Sequence, residues 1–105
     1  MIKDIHSYDE FKEIISTDKI VVIDCWANWC GPCRMISPIF DALAGRYTAI
    51  GAYKVNVDEQ MEVGDEIGVR AMPTFVAYQN GSKLAELVGA SPPALYDMFQ
   101  KLGSA

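Results

Sequence analysis

An α/β fold, a five-stranded mixed sheet with four helices on both faces, is predicted by three features of the sequence. Strand-like and helix-like periodicities alternate along the chain, which calls for crossover helices and parallel pairing among the first three strands. Ile20-Val21-Val22-Ile23 is β-branched without polar alternation, the pattern of a central strand covered on both faces. Asn80-Gly81 separates two strand patterns and tolerates the positive φ of a type I′ turn, so the last two strands form an antiparallel hairpin. With 105 residues, 50% of them apolar, there is material for one core, and residues 1–105 read as a single domain.

Each element has a local cause. Ile2 to Ile5 alternates and reads as a short edge strand. Ser7 followed by Glu10 is a capping box that opens a helix, with Phe11, Ile14 and Ile15 as its inward stripe. Asp18-Lys19 turns the chain into the Ile20–Ile23 strand, which ends in Asp24-Cys25-Trp26. A helix from about Pro32 to Tyr47 places Ile36, Ile39, Phe40, Leu43 and Tyr47 on one face. Pro32 suits its first turn, whereas Pro38 inside the periodic stretch predicts a kink. Tyr53 to Val57 is a third strand. Asp58 is expected to cap a short helix through Glu66, whose apolar pattern rests on Val63 and Ile67 alone. Thr74–Tyr78 and Lys83–Val88 form the hairpin. Ser91-Pro92-Pro93 opens the last helix with Leu95, Met98, Phe99 and Leu102 inward, and Gly103 ends it.

Composition removes several function classes. Asp and Glu number 14 against 9 Lys and Arg, without the basic stripe that nucleic-acid binding needs. The longest aliphatic run, Ile20 to Ile23, is far short of the roughly 20 residues that cross a bilayer. The first residues carry charge almost at once and lack a signal peptide's apolar segment, so a cytoplasmic location is expected. The three cysteines, Cys25, Cys30 and Cys33, lie within nine residues, too few for a disulfide-stapled scaffold. A lone CxxC in a reducing compartment reads as redox or metal chemistry. Structural zinc wants four ligands, and the only candidates to complete a set are Cys25, which follows a buried strand, and the single histidine, His6, which precedes a helix, so no metal is expected. No glycine-rich nucleotide loop is present, and no cofactor is expected.

The chemistry concentrates in Trp29-Cys30-Gly31-Pro32-Cys33-Arg34, between the apolar strand and the helix that follows. A helix N-terminus presents unpaired N–H groups and partial positive charge, which favours thiolate over thiol. The first cysteine is expected to project toward solvent as a nucleophile, with the second one turn deeper. Thiol–disulfide exchange follows from that placement.

Taken together, the element order and the motifs resemble the thioredoxin family over essentially the whole chain. The resemblance rests on Asp24-x-Trp26-Ala27-x-Trp29-Cys30-Gly31-Pro32-Cys33, Pro38, Lys54, Met72-Pro73-Thr74, the Asn80-Gly81 hairpin and Val88-Gly89-Ala90. The Arg70–Phe75 and Gly89–Pro93 wording resembles eukaryotic cytosolic members, fungal ones among them. The resemblance implies that Cys30 attacks a target disulfide and Cys33 resolves the mixed disulfide, with Gly31 and Pro32 between them. It implies that Asp24, a carboxyl at the end of a buried strand, accepts the Cys33 proton, and that Lys54 is its charge partner. Met72-Pro73 resembles the family's cis-proline turn, which would offer Met72's main chain to an extended target by strand addition. Trp29, Gly89 and Ala90 would supply the apolar surround, while Trp26 is read mainly as packing. Electrons would come from thioredoxin reductase, an NADPH-dependent flavoprotein. They would pass to oxidised proteins such as peroxiredoxin, methionine sulfoxide reductase or ribonucleotide reductase, with the chain acting as a monomer.

Cys25 departs from the family pattern, where an aromatic residue is common, and reads as a small buried hydrophobe rather than a third redox-active thiol. Two rival functions differ in class. An oxidase or isomerase module is disfavoured by Gly31-Pro32, which supplies no charge to stabilise the Cys30 thiolate. A non-catalytic binding module would use the apolar surround of Trp29 and Met72.

Overall fold

The computed structural model describes residues 2–104. Its elements are β1 (Lys3–Asp4), α1 (Tyr8–Ile15), β2 (Val21–Trp26), α2 (Gly31–Arg46), β3 (Gly51–Asn56), α3 (Met61–Ile67), β4 (Thr74–Gln79), β5 (Ser82–Val88) and α4 (Pro92–Gly103). The strands form one five-stranded sheet in the order β1-β3-β2-β4-β5. The first three are mutually parallel, and β4 runs antiparallel to both β2 and β5. Among the described residues no helix is long and apolar enough to cross a membrane.

Strand alternation divides the core into two layers. Val21, Ile23 and Cys25 of β2 pack with Val76 and Tyr78 against α1 and α3, where Phe11, Ile15, Val63 and Ile67 meet them. Val22 and the alternate β4 residues Phe75 and Ala77 turn the other way, onto Ile36, Phe40 and Leu43 of α2 and Leu95, Met98 and Phe99 of α4. Because successive strand residues point to opposite faces, Asp24 shares the α2 face with Val22. The β-branched run is therefore buried on both sides, as its lack of alternation predicts.

Several boundaries differ from expectation. The first strand contracts to Lys3–Asp4, although the Ile5 N–H still donates to the Lys54 carbonyl at 2.8 Å. The chain turns there because Ser7 accepts from the Glu10 N–H while the Glu10 carboxylate accepts from the His6 N–H. Asp58 does not cap α3. The Asn56 side chain takes the Asp58 and Glu59 N–H groups, which delays the helix to Met61, with Gln60 at its cap position. The left-handed residue Gly68 (φ +87°) closes α3, a stop the sequence reading did not assign. Gly103 is the last residue of α4 and not the left-handed stop expected of it, the cap position falling to Ser104. A Cβ there would lie 2.7 Å from the Tyr47 ring, so glycine permits close packing of the two helices. Helix α2 runs through Pro38 from Gly31 to Arg46 without interruption.

Candidate active site

Sheet register gathers the candidate residues at one end of the molecule. Trp26 at the end of β2 pairs with Asn56 at the end of β3, and Cys25 pairs with Thr74 at the start of β4. Thr74 in turn pairs with Val88 at the end of β5. The Trp29–Cys33 loop, the segment after Asn56, Met72-Pro73 and Gly89-Ala90 therefore all emerge from that same end. Met72–Pro73 is a cis peptide bond. Gly89, at φ +105°, donates its N–H to the Pro73 carbonyl at 2.9 Å, which ties the two loops together.

Cys30 and Cys33 form a disulfide with Cα atoms 5.3 Å apart. Cys30 is the N-cap of α2, and its Sγ accepts the Cys33 N–H at 3.1 Å. That contact corrects the expectation that Cys30 projects into solvent. Bonded to Cys33, its sulfur folds back over the helix start, and both cysteines are only 3% exposed. Gly31 and Pro32 are exposed at the first turn. Trp29, 68% exposed, donates its indole N–H to the Asp58 carboxylate at 2.9 Å. Arg34 reaches back to the Asn28 carbonyl and fastens the loop from the other side.

Behind the disulfide lies a cleft of about 530 Å³ whose walls include Asp24, Trp26, Cys33, Ser37, Asp41 and Lys54. Asp24 is 1% exposed. Burial pushes its carboxyl up to about 7, with Lys54 pulling it down and Asp41 raising it further. Asp24 Oδ1 and Trp26 Nε1 have no hydrogen-bond partner among the described residues. Lys54 stands beside Asp24 in the β2–β3 register, yet its direct contacts are with α2. Its ammonium donates to Ser37 Oγ at 2.6 Å and pairs with Asp41 Oδ1 at 3.0 Å. Lys54 thus acts on Asp24 through the cleft and not by an ion pair.

Asp58, Ser37 and Asp41 escaped the sequence reading. The last two had a signal: Cys33, Ser37 and Asp41 recur every four residues, a polar stripe on an otherwise apolar helix. Asp58 carried only a capping pattern, which pointed elsewhere. Met72 also borders a second groove of about 190 Å³, with Asp58, Met61 and Arg70 among its walls. Cys25 is fully buried in the α1 and α3 layer, with its thiol pushed up by burial and then by the neighbouring Asp24.

The thioredoxin family model matches residues 3–101. A thioredoxin of Malassezia sympodialis is 52% identical over 93 residues, covering 87% of this chain and 89% of its own. A thioredoxin of Coprinus comatus is 48% identical over 103 residues, covering 96% and 97%. The crystal structure of the Malassezia sympodialis protein superposes with a TM-score of 0.94, at 46% identity over 97% of this chain and 93% of that one.

Proposed function

The chain belongs to the thioredoxin family, and from that membership and the geometry of the site we propose a protein-disulfide reductase working through Cys30 and Cys33. The observation that carries the reading is a disulfide at the N-terminus of α2 whose inner cysteine shares a cleft with a buried, proton-hungry carboxyl. In the reduced protein the Cys30 thiolate attacks a target disulfide; one target sulfur leaves as thiolate and a mixed disulfide forms. Cys33 then loses its proton to Asp24 and attacks Cys30 Sγ, releasing the second target sulfur. The target gains two electrons and its two sulfurs take up protons, while Cys30 and Cys33 become the disulfide.

Around this exchange, Lys54 tempers the Asp24 charge, and Met72 ahead of Pro73 offers its main chain to the target. Trp29, Gly89 and Ala90 form the seat on which the target lies. Thioredoxin reductase, an NADPH-dependent flavoprotein, restores the dithiol. The targets are oxidised proteins of the peroxiredoxin, methionine sulfoxide reductase or ribonucleotide reductase kind. The chain works as a cytoplasmic monomer, its 105 residues one domain.

The equilibrium potential of the pair, read in glutathione or dithiothreitol buffers, tests the direction of flow. Gly31 and Pro32 place no charge between the sulfurs, so the pair should sit near the potential of about −270 mV general to thioredoxins. A value above about −200 mV would instead make it an oxidant or isomerase. The Cys33→Ser variant should accumulate mixed disulfides with targets through Cys30. Partner binding unchanged by that substitution and free of covalent capture would point to an adaptor.

A further inference from the structure

We propose that Ser37 and Asp41 are positioning residues for the proton acceptor: by holding the Lys54 ammonium on α2, they keep it from neutralising Asp24. The proposal rests on the reading of Asp24 as acceptor of the Cys33 proton.

Lys54 and Asp24 are register partners on adjacent parallel strands, roughly 4.8 Å apart across the sheet. A flexible four-carbon stem with three rotatable donors would readily bend to so near a carboxylate. It does not, because one turn of α2 takes the ammonium from three sides. Ser37 Oγ accepts at 2.6 Å, Asp41 Oδ1 pairs at 3.0 Å, and the Phe40 ring lies beneath it with its centroid 6.0 Å away. Spacing explains the grip, since residues three and four apart share a helix face. Asp24 Oδ1 is left without a partner among the described residues.

The charged and titratable groups around the cleft are Asp4 from β1, Lys54 from β3, and Cys33, Arg34 and Asp41 from α2. On its other side Asp24 is paired with Phe75 of β4, which carries no charge. Lys54 is thus the cation from the sheet that can reach Asp24, and α2 decides how closely it does. An ammonium bonded directly to Asp24 would hold the carboxylate ionised and make it a poor base toward Cys33. Kept on α2, it leaves Asp24 basic enough to take that proton near neutral pH.

The test follows the Asp24 carboxyl carbon by NMR against pH in the reduced full chain, assigned by its loss in Asp24→Asn. Asp41→Asn should lower the Asp24 midpoint by about half a pH unit, about threefold in proton affinity, as coupled neighbouring charges do. Ser37→Ala, which removes no charge, should shift it the same way by a smaller amount. Both shifts should largely vanish when Lys54→Gln is already in place. Equal shifts with and without Lys54 would mean that Asp41 acts by its own charge alone, and no shift would mean there is no hold; either overturns the proposal.

A parallel measurement separates this from the acceptor role. The rate at which Cys33 resolves a preformed mixed disulfide should shift its pH profile along with the NMR midpoint. If the midpoint moves while the rate profile stays, the hold on Lys54 stands and the assignment of Asp24 as acceptor falls.

Discussion

At the scale of single residues, Asp24 exacts a cost in stability that function explains. Its carboxyl titrates at about 7 when folded against an ordinary 3.8. The folded state therefore binds this proton more tightly than the unfolded chain. Stability from this group is complete below about pH 4, declines as pH rises, and is gone above about pH 7. Asp24→Asn should accordingly stabilise the protein on the order of 3 kcal/mol at pH 8 and leave it nearly unchanged at pH 4. Denaturant unfolding at the two pH values checks this, and an equal gain at both would mean that packing, not charge, sets the difference. The same variant should slow Cys33 attack. Cys25 lies one residue further on and faces the opposite layer, fully buried, its thiol pushed up by burial. With Cys30 and Cys33 oxidised, a thiol reagent should modify Cys25 only as fast as the chain unfolds. Rapid modification of the native protein would make it a third accessible thiol.

At the scale of elements, the caps explain where helices begin. Ser7 and Ser91 each accept from the N–H three residues on, as their spacing predicts. Ser7→Ala should cost about 1 kcal/mol while leaving disulfide reduction unaltered. A cost indistinguishable from zero would leave the Glu10–His6 bond as sufficient closure of that end. Where the capping pattern misled, competition between side chains was the cause. Asp58 looks like a cap, but Asn56 claims the turn first, and Asp58 is freed to hold the Trp29 indole. A sequence shows that Asp58 can accept a hydrogen bond; it does not show which of several donors arrives. The CxxC segment, by contrast, was legible because its chemistry is local. Two cysteines three apart at a helix start need no distant residue to meet. What could not be read locally was exposure: Cys30, bonded to Cys33, is buried, although the loop around it is open.

At the scale of the whole molecule, strand count and direction follow from periodicity, but strand order follows from handedness. Both early crossovers are right-handed when α1 and α2 cover opposite faces, so β3 must step back from β2 toward β1. That step puts Lys54 beside Asp24, a neighbourhood no spacing in the sequence reveals. Helix α2, helix α4 and the sheet meet at Phe40, fully buried on the site-bearing helix. Its ring stacks on Phe75 of β4 at 5.7 Å between centroids and meets Phe99 of α4 edge-on at 5.8 Å. Phe40 thereby fixes α2, and with it Cys33, Ser37 and Asp41, onto the sheet that carries Asp24 and Lys54. Truncating it to alanine opens a cavity bounded by α2, α4 and the sheet and should cost about 3–5 kcal/mol. Met35→Ala, on the same helix but 61% exposed, should stay within about 0.5 kcal/mol. Urea unfolding of both variants gives the comparison, with the slope expected to hold and only the midpoint to fall. A Phe40→Ala loss no larger than that of Met35→Ala would show that α2 is held by the loop and the disulfide. In that case the site's geometry would depend on its own oxidation state and not on the core beneath it.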